Sequence, residues 1–149
     1  MAQTTGAISF TNAKVEFSLN NSDWVDVSGF SSEIKPDGGE REIGEFYTLE
    51  GDVAILTTGK RGPMEISLTV VYTEGGGDIF EQVRDAYENN LPIYMRWSPK
   101  GGHIGDFQFV TDVAHITKGS YPGGEAKSGD PVALEIVLKT SKVSKEIVV

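Results

Sequence analysis

Histidine is the residue type from which metal-binding or acid–base chemistry would most simply be built, and the sequence contains two, His103 and His115. His103 stands three residues before Asp106, so the two side chains could share one turn and hold a metal ion. A stable site needs a third placed ligand, and the chain has no cysteine. We therefore interpret His103 and His115 as a loop residue and a strand residue, and expect no metal and no cofactor.

A second candidate for chemistry is the stretch 123–128, Gly-Gly-Glu-Ala-Lys-Ser, which has some likeness to a phosphate-binding loop. Ala126 stands where that loop has a glycine before the lysine, and no strand-then-helix pattern flanks it. The sequence also lacks a nucleophile elbow, a zinc-protease helix and a dinucleotide fingerprint. We expect no catalytic residues and a protein that is not an enzyme.

Aromatic residues offer a third possibility, because Trp24, Tyr47, Tyr94 and Trp97 are of the types that stack on sugars or on single strands. Trp97 shares the apolar face of its strand, and Trp24 follows a turn. Packing in a core explains both residues better than a binding platform does. A monomeric carbohydrate-binding β-sandwich stays open as an alternative.

The charge of the chain argues against binding to nucleic acid. Thirteen Lys and Arg against 22 Asp and Glu give a net charge of -9, and phosphate binding needs clustered cations. The charge is also uneven, since residues 1–90 hold 16 acids and 6 bases whereas 91–149 hold 6 acids and 7 bases. This asymmetry suits contacts between unlike faces of copies of one protein, although a merely acidic surface would explain it too.

Length and composition indicate one β-rich domain, 1–149. With 18 Gly and 6 Pro in 149 residues the chain is rich in turns. No apolar run approaches the roughly 20 residues of a membrane span, and the first residues lack the pattern of a signal peptide. We expect a soluble intracellular protein without membrane contact.

Alternation of apolar and polar residues predicts six strands. They are 13–19, 24–27, 64–72, 93–98, 107–116 and 132–139. In the first, Val15, Phe17 and Leu19 should face the core. In the fifth, the alternation slips between Val113 and Ile116, which predicts a β-bulge.

One helix is predicted, at 78–90, where apolar residues recur at helical spacing. Asp78 and Glu81 have the spacing of a capping box. The apolar stripe comprises Ile79, Phe80, Val83, Ala86 and Tyr87. The predicted fold is mainly β, a β-sandwich or barrel of about six to eight antiparallel strands with one flanking helix.

Three segments lie outside these elements. Residues 31–63 lack a clear pattern and carry six acids but only one base between positions 37 and 52, so we predict an extended, acidic hairpin arm. Within it, residues 36–62 should be poorly ordered in a free subunit and ordered in the assembled protein. Lys60 and Arg61, at its end, form either a solvated turn or a basic spot for another subunit's acidic arm. Residues 1–12 and 143–149 read as terminal arms.

The succession of elements resembles the major tail tube proteins of long-tailed bacteriophages. The similar parts are the run 59–74 (GKRGPMEISLTVVYTE), the glycine-rich break and helix after it, and 92–99 (PIYMRWSP). Residues 121–124 (YPGG), 128–131 (SGDP) and the closing strand continue the similarity. The resemblance covers about residues 12–142, and it depends on the order of the elements more than on any single motif.

This resemblance implies six copies in a ring, with inner strands joined into one barrel and rings stacked into a tube. The hairpin 31–63 would reach the neighbouring ring, through Asp37, Glu40, Arg41, Glu42, Lys60 and Arg61. The terminal arms would contact other subunits, through Ile8, Phe10, Ile147 and Val148. From the acidity of the chain we expect a negative lumen, with Glu45, Glu50 and Glu65 as candidate lining residues.

The resemblance also implies a location and partners. The protein would be part of the virion tail, assembled in the host cytoplasm, with the tape measure protein and tail terminator or baseplate proteins as partners. DNA would pass through the lumen without specific binding. The alternative within the same fold is a tube subunit of a contractile injection machine or of type VI secretion, the hemolysin-coregulated protein.

Overall fold

The chain folds into three antiparallel β-sheets and one helix. A computed structural model describes residues 2–74 and 79–149. The strands are β1 (Lys14–Ser18), β2 (Val25–Asp26), β3 (Ser31–Gly38), β4 (Arg41–Phe46), β5 (Ile55–Arg61), β6 (Met64–Val71), β7 (Tyr94–Ser98), β8 (Phe107–Thr111), β9 (Ala114–Ile116), β10 (Ala133–Thr140) and β11 (Val143–Ile147). Helix α1 (Ile79–Glu88) lies between β6 and β7.

Two of the sheets form the body of the molecule. The five-stranded sheet has the order β11-β8-β7-β1-β2, and the four-stranded sheet has the order β3-β6-β10-β9. The third sheet is the β4–β5 hairpin. The expected class, mainly β with one helix in the described residues, is confirmed.

The core lies between the two body sheets and α1. Its centre is the eight-residue pairing of β6 with β10, in which Leu68 stands opposite Ile136, and at most 1% of either side chain is exposed. Phe17 of β1 and Met95 of β7 come from the other sheet, and Val83 from the helix. Full burial of each such side chain contributes about 1.5–3 kcal/mol, so the packing of the two sheets stabilises the sandwich.

The strand count exceeds the six to eight expected, because three strands lie in the segment that has no clear sequence pattern. β3 belongs to the four-stranded sheet, so the projecting arm begins only after Gly38. β3 contains Pro36, which is tolerated because β3 is an edge strand. Gly38 and Gly39 then have φ of 92° and 72°, a conformation that suits glycine, where the chain leaves the sheet.

The predicted bulge between residues 107 and 116 is wrong. The chain changes sheets there, since β8 lies in the five-stranded sheet and β9 in the four-stranded sheet. Ala114 and Ile116 are buried against the core, whereas Val113 is 38% exposed. The slip in alternation therefore marks a corner at which one strand run passes from one sheet to the other.

The first strand also differs from the expectation. Val15 and Phe17 are buried as predicted, but Leu19 lies beyond the strand and is 46% exposed. Glu16 and Ser18, expected on the solvent side, are buried. Glu16 is covered because Arg96 of the neighbouring strand β7 pairs with it.

Helix α1 packs as its pattern predicts. Ile79, Phe80, Val83 and Ala86 are buried, whereas Tyr87 at the edge of the stripe is 39% exposed. Asp78 and the glycines 75–77 lie outside the described residues, and so does the predicted capping box. In the part of the chain that the structure covers, no helix has the length and apolarity required to cross a membrane.

Candidate intersubunit surfaces

The β4–β5 hairpin stands away from the body of the molecule, and all residues of both strands are exposed. At its base, the Gly39 N–H donates to the Pro63 carbonyl at 3.0 Å and the Gly62 N–H to the Glu40 carbonyl at 2.8 Å. Farther along, Gly44 faces Thr57 so closely that a Cβ at Gly44 would lie 2.8 Å from Thr57 Oγ1. Glycine thus permits the two strands to pair tightly here.

Both faces of the hairpin are apolar in part. On one face, Phe46 stands opposite Ile55. On the other face, Leu56 stands opposite Glu45, and Ile43 also lies there because it is two residues from Glu45. The exposed apolar side chains of the hairpin and its loop are Ile43, Phe46, Tyr47, Leu49, Val53, Ile55 and Leu56, each at least 52% exposed. So many exposed apolar side chains on one projecting segment indicate an interaction site.

The six residues assigned to inter-ring contact lie at or near the base of this hairpin. Glu40, Arg41, Glu42, Lys60 and Arg61 flank the point where the hairpin leaves the body, and Arg41 stands opposite Arg61. Asp37 lies just outside, in β3 opposite Glu65. None of the six forms an ion pair within residues 2–74 and 79–149, so their charges are available to a neighbouring molecule.

The outer face of the four-stranded sheet carries more acids than bases. Across it, Asp37, Glu65, Lys139 and His115 stand in one cross-strand row. Glu33 and Glu135 share a second cross-strand row on this face, and Lys35 lies in the row between the two. The face therefore holds four carboxylates and two lysines, of which Glu33 and Lys35 form an ion pair at 3.1 Å.

The three candidate lumen residues do not share one face. Glu65 lies on the outer face of the four-stranded sheet, whereas Glu45 lies on the hairpin and Glu50 in the hairpin's loop. Glu33 was not among the predicted lumen residues, because the sequence of β3 has no alternation that identifies it as a strand. Glu135 was not among them either, although the alternation of β10 places Glu135 on the face opposite Leu134 and Ile136.

The terminal segments differ from each other. Residues 2–12 form no strand, and Ile8 and Phe10 are 57% and 46% exposed. Residues 143–147, by contrast, form the edge strand β11, which pairs with β8 so that Ile147 stands opposite Phe107. Val148 forms two backbone hydrogen bonds, because its N–H donates to the Asp106 carbonyl at 2.9 Å and its own carbonyl accepts from the Gly105 N–H at 2.8 Å.

The candidate histidine site is an ordinary turn. His103 Nδ1 lies 3.4 Å from Asp106 Oδ2, and the same oxygen accepts the His103 N–H at 3.0 Å. His115 lies elsewhere, on β9 opposite Lys139. In the described ranges no three His, Asp or Glu residues are grouped so that they could hold a metal ion.

The four aromatic residues do not form one platform. Trp97 is buried and stacks on Phe109 with 5.7 Å between ring centroids, whereas Tyr47 is exposed in the hairpin's loop. Trp24 and Tyr94 are half-buried and line one cleft on the outer face of the five-stranded sheet.

Comparison of the sequence with family models and with curated proteins finds no match. The structure, however, is similar to several solved structures. The SPP1 tail tube matches at a TM-score of 0.73 with 17% identity, over 95% of this chain and 80% of that one. The baseplate of the anti-feeding prophage matches at 0.69 with 11% identity, over 99% of both chains.

A third similar structure is the sheath–tube complex of PVC, an extracellular contractile injection system, in its extended state. It matches at a TM-score of 0.65 with 16% identity, over 99% of this chain and 100% of that one. In all three comparisons the similarity spans at least 95% of this chain and at least 80% of the other. The chain therefore has the fold of tail tube proteins.

Proposed function

We propose that the protein is the structural subunit of a phage tail tube, which forms hexameric rings that stack and conduct viral DNA. The observation that carries this proposal is the β4–β5 hairpin, which is exposed along its length and apolar on both faces. In an isolated subunit this apolar surface is exposed to water, whereas a neighbouring ring would bury it. The base of the hairpin adds Glu40, Arg41, Lys60 and Arg61 as charged contacts.

Free sheet edges support closure of the ring. β3 and β9 are the edges of the four-stranded sheet, and β3 is eight residues long. A free edge offers backbone groups for pairing with another chain, and Pro36 leaves only one position of β3 without an N–H donor. In the proposed ring the four-stranded sheet continues from subunit to subunit, and the terminal arm with Ile8 and Phe10 and the edge strand with Ile147 and Val148 contact neighbours.

Charge supports the passage of DNA without binding. β3 runs directly into the hairpin, so we assign the outer face of the four-stranded sheet, with Glu65, to the lumen. Four carboxylates against two lysines repeat six times around the ring and repel phosphate. Glu45 and Glu50 would extend the negative surface along the hairpin. A basic lumen would hold DNA through many phosphate contacts.

The proposed location is the virion tail, assembled in the host cytoplasm. The likeness to chains of a tail tube, a baseplate and a sheath–tube complex supports contacts with terminator or baseplate proteins at the tube ends. We also propose the tape measure protein as the partner inside the tube during assembly.

A second candidate is the tube subunit of a contractile injection machine, which the likeness to the PVC complex favours. The two candidates share ring and tube, and they differ in what surrounds the tube. Co-expression with the genes flanking this one distinguishes them. A contractile sheath that co-purifies with the tube supports the second candidate, and bare tubes support the first.

The test of the proposal is the mass and shape of the purified protein. Light scattering after size exclusion, followed by negative-stain microscopy at rising concentration, should show rings with six-fold symmetry and then tubes. A monomer of 16.1 kDa at all concentrations and salt conditions would overturn the proposal.

A further inference from the structure

A polar trough runs along the outer face of the five-stranded sheet. It consists of two cavities of about 350 and 340 Å³, and both are lined by Arg96 and Glu146. The first extends past Trp24 and Tyr94, and the second extends towards the end of β11. Each half has the volume of a small-molecule site.

Arg96 is held rigidly in the middle of the trough. Its guanidinium donates from Nε and Nη2 to both carboxylate oxygens of Glu16, at 2.9 and 3.1 Å. It also lies over the Trp24 ring, 4.3 Å from the ring centroid. A guanidinium has five N–H donors, and only two are used by Glu16. The remaining donors are positioned in advance, so a ligand that accepts from them pays little ordering entropy.

The trough also presents polar side chains with no partner in the protein. Within the described ranges, Asn21, Tyr94, Lys142 and Ser144 make no side-chain hydrogen bond or ion pair. Together they offer amide, hydroxyl and ammonium groups around one cavity. A ligand with many hydroxyl groups matches this set better than an apolar ligand does.

The charges of the cavity beside Trp24 balance. Arg96 and Lys142 are opposed by Asp112 and Glu146. Glu16, which pairs with Arg96, is balanced by Lys14 at 3.8 Å. The cavity therefore has no net charge that would favour an anion or a cation. A neutral polar ligand fits best, because it needs donors and acceptors of both kinds.

We propose that this trough is a binding site for a neutral oligosaccharide. The half-buried rings of Trp24 and Tyr94 would contact the C–H groups of a sugar ring, while the polar side chains bind its hydroxyls. The proposed site is the half of the trough beside Trp24, which is lined by residues of one subunit. The other half borders Ile147 and Val148, which we assign to contacts with neighbouring subunits. The competing occupant is a segment of a second copy of this chain, and the experiment below tells the two apart.

Tryptophan fluorescence is the direct test, because Trp24 lines the half of the trough beside Tyr94. Trp97 borders only the other half and is 6% exposed. Maltotriose, cellotriose, chitotriose and galactobiose are titrated separately into the purified protein, with calorimetry in parallel. At least one should bind saturably with a Kd of about 1 mM, a free energy of about -4 kcal/mol.

Two variants keep the folding of the protein intact. Tyr94→Phe removes one hydroxyl, and Lys142→Ala alters an exposed side chain. Each should weaken binding about fivefold, as expected for one lost hydrogen bond. Tyr121→Phe, which alters an exposed tyrosine outside the trough, should leave binding unchanged.

Four results would overturn the site. Three of them are the absence of saturable binding by all four sugars, binding that neither trough variant weakens, and stronger binding of dextran sulfate than of any neutral sugar. Binding that disappears when tubes form would show that a second copy fills the trough, and would overturn it too. Because microscopy reports assembly separately, a failure to form tubes and a failure to bind sugar are distinguishable.

Discussion

Arg96 and Glu16 form a two-point ion pair between adjacent strands of the five-stranded sheet. Arg96 Nε lies 2.9 Å from Glu16 Oε1, and Nη2 lies 3.1 Å from Oε2. The two residues are direct cross-strand partners, 80 positions apart in the chain. With side-chain exposures of 25% and 11%, the pair is shielded from solvent more than a surface pair is, so it joins β1 to β7 firmly.

Replacement of Arg96 should destabilise the protein. Arg96→Met leaves the Glu16 carboxylate buried without a guanidinium, and we expect a loss of about 2–3 kcal/mol in the free energy of unfolding, since breaking a fully buried pair costs about 3–5 kcal/mol. Urea unfolding measures this. The control is Lys35→Met, which breaks the exposed pair with Glu33 and should cost less than about 1 kcal/mol. Equal losses in the two variants would contradict the assignment.

Removal of the hairpin should leave the subunit folded and stop assembly. In the variant, Arg41–Arg61 are replaced by Asn-Gly, a two-residue turn that fits because the Gly62 N–H already donates to the Glu40 carbonyl. The hairpin contributes no residue to the core cluster. We expect a far-UV spectrum that is still that of a folded β protein and cooperative melting, with no tubes in negative stain. Tubes of normal length from this variant would exclude the hairpin from stacking.

The apolar side chains of the hairpin should matter for assembly but not for folding. Phe46→Ser and Ile55→Ser alter a cross-strand pair that is 68% and 53% exposed. Each should raise the concentration needed for tubes about tenfold or more, as loss of an interface anchor does. The free energy of unfolding should change by less than about 0.5 kcal/mol.

Sedimentation of tubes across a concentration series measures the effect of these two substitutions. The control is Ile104→Ser, in which an 85% exposed isoleucine outside the hairpin is changed in the same way. If Ile104→Ser impairs assembly as strongly as Phe46→Ser does, exposure alone explains the effect and the hairpin has no special role.

Gly38 should tolerate no side chain. Its φ is +92°, and a Cβ would lie 2.6 Å from the Pro63 carbonyl oxygen. Gly38→Ala should therefore lower the free energy of unfolding by about 2–3 kcal/mol. Gly105→Ala, at φ +91° with nothing within 4 Å, should cost about 1–2 kcal/mol. Gly129→Ala, also in open space, should be within about 0.5 kcal/mol of wild type. Thermal unfolding of all three gives the order, and any other order contradicts it.

Asp26 should make stability depend on pH in the acid range. Partial burial would raise the pKa of Asp26, but hydrogen bonds from the side chain and backbone of Ser28, together with nearby Lys14, hold it below 3.8. The carboxylate thus stabilises the fold above pH 3.8, and this contribution is lost as the pH falls through the lowered pKa. Asp26→Asn should be less stable at pH 7, by less than about 1 kcal/mol because the site is exposed.

The measurement for Asp26 is the stability difference between wild type and Asp26→Asn from pH 7 to pH 2. The difference should shrink to zero at the acid end. Asp130→Asn, a change in the exposed loop after β9, serves as the control. A difference that stays constant with pH would show that the charge of Asp26 has no role.

The class and the core followed from the sequence because they depend on local periodicity. Alternation in β6 and β10 placed Ile66, Leu68 and Ile136 inside, and the helical spacing placed Val83 inside. Each of these elements is buried on one face, so the spacing of its apolar residues indicates which side chains are buried. The order of the elements along the chain was likewise sufficient to suggest the tail tube fold.

Pairings between distant segments were decided only by the tertiary structure. The alternation of β1 places Glu16 on the solvent side, and only its cross-strand neighbour Arg96 makes its burial possible. β3 has no readable pattern, because an edge strand needs few apolar residues and tolerates Pro36. The corner at Val113 could not be distinguished from a β-bulge in the sequence. In both cases the alternation of apolar and polar residues shifts by one position, whether the strand bends or passes into another sheet. Local spacing determines which face of a strand is apolar, whereas the partner across that strand is a property of the whole fold.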